Sequence, residues 1–299
     1  LLGERSGASV PSPVAPTMCI FCTPDPPQTA LTDAEQLAAE KCPNLATRVP
    51  VTIVTGFLGA GKTTLVNWLL KGSHGLRICV LQNEFGSVPV DDGLIVPGDH
   101  DGMACFPGLE DGQVILVRNH EMSPDEADKS AFGEDGERLS AIDAGKLYDH
   151  EDGALTHLGG TTTIHVDLAS RRVVRQFLSL GGTERNCAGG PTPWGSWITC
   201  EESLTQAGPG YGARDHGYAF EVPAQATELM RAEPLTAMGR FNREACATDP
   251  RTSIVYQTED ARPSLITRFI PNVPGQLHEG GRLQALMISG QPGLNTNNW

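Results

Sequence analysis

Asn186-Cys-Ala-Gly-Gly-Pro-Thr-Pro-Trp-Gly-Ser-Trp-Ile-Thr-Cys-Glu-Glu202 packs two thiols, three glycines, two indoles and a terminal pair of carboxylates into one short run. Its second half, Ser196–Cys200, reads as a short buried strand, and the glycine- and proline-rich half before it reads as a packed loop. The same texture extends in both directions. Short strands are expected near 114–118, 161–167 and 253–258, separated by Gly, Pro and Asp clusters. Helical periodicity is nearly absent from about residue 99 onward, apart from a stretch around 225–231. Regularly spaced short strands of this kind predict a sandwich, barrel or propeller.

Four further segments place unusual residues at expected strand ends. They are His100-Asp-Gly-Met-Ala, Arg118-Asn-His-Glu121, Gly239-Arg-Phe-Asn-Arg-Glu244 and Thr258-Glu-Asp260. Each alone reads as an ordinary turn or solvated corner. Together they offer several carboxylates and a thiol from separate strands, and converging strand ends are how a propeller lines its central channel. Oxygen ligands suit a hard cation such as calcium, whereas a thiolate selects a softer metal.

Toward the N-terminus the texture changes. Val51-Thr-Ile-Val-Thr is a short apolar strand, followed by Gly56-Phe-Leu-Gly-Ala-Gly-Lys62-Thr63-Thr64, an expected helix at 62–71 and a second strand at 77–82. This matches the phosphate loop in its β-α-β context. Gly56, Gly59 and Gly61 let backbone N–H groups face phosphate oxygens, Lys62 reaches the β- and γ-phosphates, and Thr63 binds Mg²⁺ beside Thr64. Mg-GTP is therefore a candidate ligand. Residues 1–48, rich in Pro, Ser, Ala and Thr, read as a disordered leader.

The 299 residues carry a formal charge of −14, which argues against a nucleic-acid partner because a phosphate backbone needs a basic face. Eight cysteines lack a disulfide rhythm, and the Cys19/Cys22 pair lacks a second pair to close a zinc site. No apolar run approaches the ~20 residues of a membrane span, and no export signal is visible, so the cytoplasm is the default expectation.

Two family resemblances sharpen these readings. The Val51–Leu65 run, with Asn83-Glu-Phe-Gly86 and Val90-Asp-Asp-Gly-Leu-Ile95, resembles the CobW family of metal-handling P-loop GTPases over residues 49–96. That family's C-x-C-C metal motif, Walker B-like segment and guanine-selecting N-K-x-D element are not found, so GTP hydrolysis is not expected.

From Pro97 to Trp299 the chain resembles the PhoX alkaline phosphatases through H-D-G-M, R-N-H-E and N-C-A-G-G-x-T-P-W-G-S-W. The resemblance implies a β-propeller, incomplete at its C-terminal side, that hydrolyses phosphomonoesters with calcium and iron. Carried over by motif, Cys187 is the iron thiolate. Glu121, Glu201, Glu244 and Glu259 supply oxygen ligands, and Asn119 lies near the phosphate. Arg243 stands where the family usually has histidine, and it is expected to compete with the metal for Glu244.

The expected organisation is thus a leader (1–48), a P-loop fragment (49–96, with the seam between Gly86 and Gly98) and a mainly β segment (97–299). Three functions remain open: a phosphatase-like enzyme, a GTP-binding metallochaperone, or a chain joining parts of two genes and retaining neither activity.

Overall fold

The protein is described from a computed structural model covering residues 93–150 and 157–287, and the backbone of strands at 18–23, 51–54 and 77–82. The strands are β1 (Met18–Thr23), β2 (Val51–Val54), β3 (Arg77–Gln82), β4 (His100–Pro107), β5 (Gln113–His120), β6 (Gly159–Asp167) and β7 (Arg172–Thr183). They continue with β8 (Asn186–Pro191), β9 (Ser196–Glu201), β10 (Ala219–Pro223), β11 (Arg243–Thr248), β12 (Val255–Glu259), β13 (Thr267–Val273) and β14 (Gln276–Ala285). Short 3₁₀ turns at 127–129, 139–141, 144–146 and 236–238 are the helical elements among the described residues.

The fold is mainly β and antiparallel. Strands β4-β5-β6-β7 form one meander, β8-β9-β10 a second and β11-β12-β13-β14 a third, each in chain order. None of these sheets closes on itself. A fourth sheet has the order β2-β1-β3. There Met18-Cys-Ile-Phe-Cys-Thr, an apolar run with a β-branched and an aromatic residue, pairs antiparallel with both neighbours. The expected disordered leader therefore contributes a strand. The phosphate loop and the helix expected at 62–71 lie outside the described residues. The helical stretch expected at 225–231 forms turns.

Alternation on β9 and β10 explains how the sheets stack, because successive side chains of a strand face opposite sides. Trp197, Phe220 and Val222 pack toward Phe106, Ile115, Val117 and Leu180 of the first meander. Ile198, Cys200 and Ala219 pack toward Cys246, Val255, Phe269 and Leu277 of the third. The β8-β9-β10 sheet is thus covered on both faces, which explains why its strands are buried almost throughout.

Close backbone approach, to the neighbouring strand for one and to the third meander for the other, accounts for the paired glycines of the opening motif. A Cβ on Gly189 would lie 2.0 Å from the carbonyl oxygen of Ile198 on β9. One on Gly190 would lie 2.1 Å from that of Cys246 on β11. Both partners are backbone and cannot swing aside. Gly190→Ala is therefore expected to destabilise the protein by about 1–3 kcal/mol, as overpacking does, read as a lower midpoint in denaturant with unchanged slope.

Candidate metal centre

Three strands break register at the positions where chemistry is expected. Pairing of β4 with β5 shifts between His100 and Met103, that of β8 with β9 between Asn186 and Gly189, and that of β11 with β12 between Arg243 and Cys246. Such irregularities re-aim side chains out of the regular up-down alternation. The residues inside them are Asp101, Cys187 and Glu244. Two strand ends complete the set: Glu121 follows β5 directly, and Glu202 follows β9, bridging to Asn242.

These five side chains meet. Asp101, Glu121 and Cys187 present donor atoms within 4.8 Å of one another, as do Cys187, Glu202 and Glu244. The Cys187 thiol lies 3.5 Å from Glu244 Oε1 and 3.8 Å from Asp101 Oδ2. Arg185, at a left-handed φ of 47°, donates to Glu121 Oε1 at 2.8 Å and Glu202 Oε2 at 2.7 Å. One guanidinium does not balance four carboxylates. Burial and the neighbouring Glu121 and Glu244 raise Asp101 to about 7. Burial, with Glu121 and Glu244, likewise raises Glu202 to about 7 against the lowering effect of Arg185. Burial and the surrounding carboxylates push the Cys187 thiol far up. Asp101, Glu202 and Cys187 are pushed toward their neutral forms by burial and by neighbouring carboxylates, and a bound cation reverses that sign. The donor set of one thiol among carboxylates fits a soft metal beside hard ones.

The remaining residues of the motifs build the frame. Asn119, fully buried, donates through Nδ2 to the carbonyls of Cys187 and Ala188, both at 2.8 Å, and accepts from Trp197 Nε1 at 2.8 Å. These three bonds tie its amide to β8 and β9, so it holds the Cys187 strand in place. His120 Nδ1 meets the Gly98 carbonyl and Nε2 meets Thr162 Oγ1, and its burial holds its pKa well below the usual range.

Two expected ligands are elsewhere. Glu201, fully buried, accepts from His216 Nδ1, Gly217 N, Tyr218 N and Glu184 N at 2.7–3.0 Å. Adjacent residues on a strand face opposite ways, so Glu202 reaches the centre and Glu201 does not. Glu259 accepts from Leu265 N at an exposed turn. Conversely, sequence reasoning had not assigned roles to Asp101 and Glu202, although both lie inside its motifs.

Arg243 also departs from expectation. Its side chain is fully buried, donates to Gln257 Oε1 and to the Gly239 carbonyl, and lies 5.2 Å from the Phe241 ring centre. It faces away from Glu244 and does not compete for it. Arg243→His is thus expected to leave metal affinity unchanged. It should lower stability by about 1–3 kcal/mol by orphaning buried acceptors, measured by metal titration and chemical denaturation.

A family model for alkaline phosphatase PhoX matches residues 73–299. The chain belongs to the PhoX family. The match reaches back beyond the expected seam and takes in the whole of β3. The N-terminal region resembles other proteins. The zinc chaperone YjiA of Escherichia coli (strain K12) is 60% identical over 74 residues, 25% of this chain and 22% of that protein. The zinc chaperone CobW of Pseudomonas aeruginosa is 54% identical over 72 residues, 24% of this chain and 18% of that protein. The chain therefore spans less than a quarter of the length of these curated relatives. Among the described residues, no helix is long and apolar enough to cross a membrane.

Proposed function

We propose that residues 97–299 are a propeller-type segment that hydrolyses phosphomonoesters at the Asp101, Glu121, Cys187, Glu202 and Glu244 centre. The observation that carries this reading is the convergence of three register breaks on one donor cluster in a PhoX-family chain. Cys187 as thiolate would hold iron, and the carboxylates would hold calcium. Such metals supply charge neutralisation for a phosphoryl group. The chain's own part is to bring four carboxylates and the Cys187 thiol together and to keep Cys187 fixed through Asn119. With cations present, Glu121 and Glu202 no longer need Arg185, whose side chain is 38% exposed and free to meet a phosphate oxygen. The test is hydrolysis of p-nitrophenyl phosphate by the full chain. Chelation should abolish it, and calcium with iron should restore it. Restoration by neither metal would reject the assignment.

A second reading rests on the YjiA and CobW matches: residues 49–96 bind Mg-GTP phosphates through Gly56, Gly59, Gly61, Lys62, Thr63 and Thr64. Lacking guanine-selecting and Walker B-like elements, this segment binds without turnover. Single-turnover GTP hydrolysis above buffer, abolished by Lys62→Ala, would overturn that.

A further inference from the structure

We infer a second, closed metal site, of the zinc class, held by Asp149, His157 and His216. It lies apart from the phosphatase centre and does not rest on that reading. All three residues are at most 1% exposed. His216 Nε2 lies 3.5 Å from Asp149 Oδ2, and His157 Nε2 lies 3.7 Å from the same oxygen. The three donor atoms fall within 4.8 Å of one another. Neither separation makes a hydrogen bond, and His216 Nε2 is a buried nitrogen without a hydrogen-bond partner. Donors sharing a tetrahedral zinc at 2.0–2.1 Å stand about 3.4 Å apart, close to the 3.5 and 3.7 Å that separate the imidazoles from Asp149.

The outer surroundings match those of metal-bound imidazoles, whose second nitrogen usually faces a carboxylate. His216 Nδ1 donates to Glu201 Oε1 at 2.7 Å. His157 Nδ1 faces Glu184 Oε2 at 3.3 Å, and both of these atoms lack a hydrogen-bond partner. The two rings stack with centroids 3.8 Å apart, so one cation can be reached by both. Three buried carboxylates, Asp149, Glu184 and Glu201, face two imidazoles, an arrangement that a divalent ion brings closer to neutrality. The loop passing the site is cut to fit: a Cβ on Gly212, at φ 93°, would lie 2.3 Å from Asp149 Oδ2 and 2.6 Å from His157 Nε2. The Tyr211 carbonyl, 3.1 Å from His157 Nε2, stands where a fourth oxygen donor belongs. The rival state is metal-free, with His157 Nε2 donating to Tyr211 and a charged His216 between Glu201 and Asp149.

A closed site of this composition would tie the 205–217 loop to β9 and would have no open position for chemistry. The test uses the full chain carrying Cys187→Ser, so that no thiolate remains at the first centre, with and without Asp149→Asn. Ala213 N donates to Asp149 Oδ1 and Arg214 N to Oδ2, and asparagine keeps one of these two acceptors. The expected result is one zinc per chain surviving dialysis in the Cys187→Ser protein and none in the double variant. Equal zinc in the two would overturn the site. Should the variants fail to fold, zinc X-ray absorption on the unaltered protein decides. A zinc shell with two imidazoles and oxygen donors and no sulfur is expected, and a sulfur-containing shell alone, or no bound zinc, rejects it.

Discussion

Cys187→Ser is expected to remove bound iron and to lower phosphomonoester hydrolysis by more than about 100-fold, since a hydroxyl is a far poorer ligand for a soft metal than a thiolate. The expected loss is large because the sulfur is shared: it belongs to both donor groups of the centre, with Asp101 and Glu121 on one side and Glu202 and Glu244 on the other. Cys105→Ser is the control. Cys105 is half-buried, packs beside Met103, Val114 and Leu116, and belongs to neither donor group of the centre. It should cost some stability and leave iron content and rate unchanged. Elemental analysis paired with initial rates separates the two. An iron-replete and fully active Cys187→Ser protein would dismantle the proposed centre.

Asn119→Ala should produce the largest loss of stability, about 3–4 kcal/mol, because it strands three partners at once, two of them buried. The Cys187 and Ala188 carbonyls and the Trp197 indole all rely on its amide. These partners lie on β8 and β9, so the substitution loosens the joint between the first and second meanders. The measurement is the denaturant midpoint together with kcat and KM at saturating metal. A residue that contacts phosphate would raise KM in a protein of normal stability. A residue that holds Cys187 in place would instead lower stability and metal affinity, leaving KM little changed once metal is saturating. The second pattern is expected, and the first would return Asn119 to the phosphate.

The sequence by itself determined the mainly β character of the larger part and the family. It also singled out, by their spelling, the four segments that carry the five clustered donors, Cys187 and Glu202 sharing one of them. Strands β5, β6, β9 and β12 were legible because their apolar and β-branched runs persist over several residues. Strand β8 was not, since Asn-Cys-Ala-Gly-Gly-Pro has the composition of a turn. It is a strand because it pairs with β9, and its glycines leave room for β9 beside Gly189 and for β11 against Gly190. Only tertiary structure decided which of two adjacent glutamates enters the centre. Glu201 and Glu202 are equivalent as letters, and the alternation of β9 sends one to His216 and the other to Cys187. Arg243 shows the same limit. Its neighbour Glu244 lies in a register break and turns to the thiol, while the guanidinium is buried against Gln257 and Gly239. The direction of a side chain depends on strand register and bulges, which are set by the partners across the sheet and not by the residue's immediate neighbours in the chain.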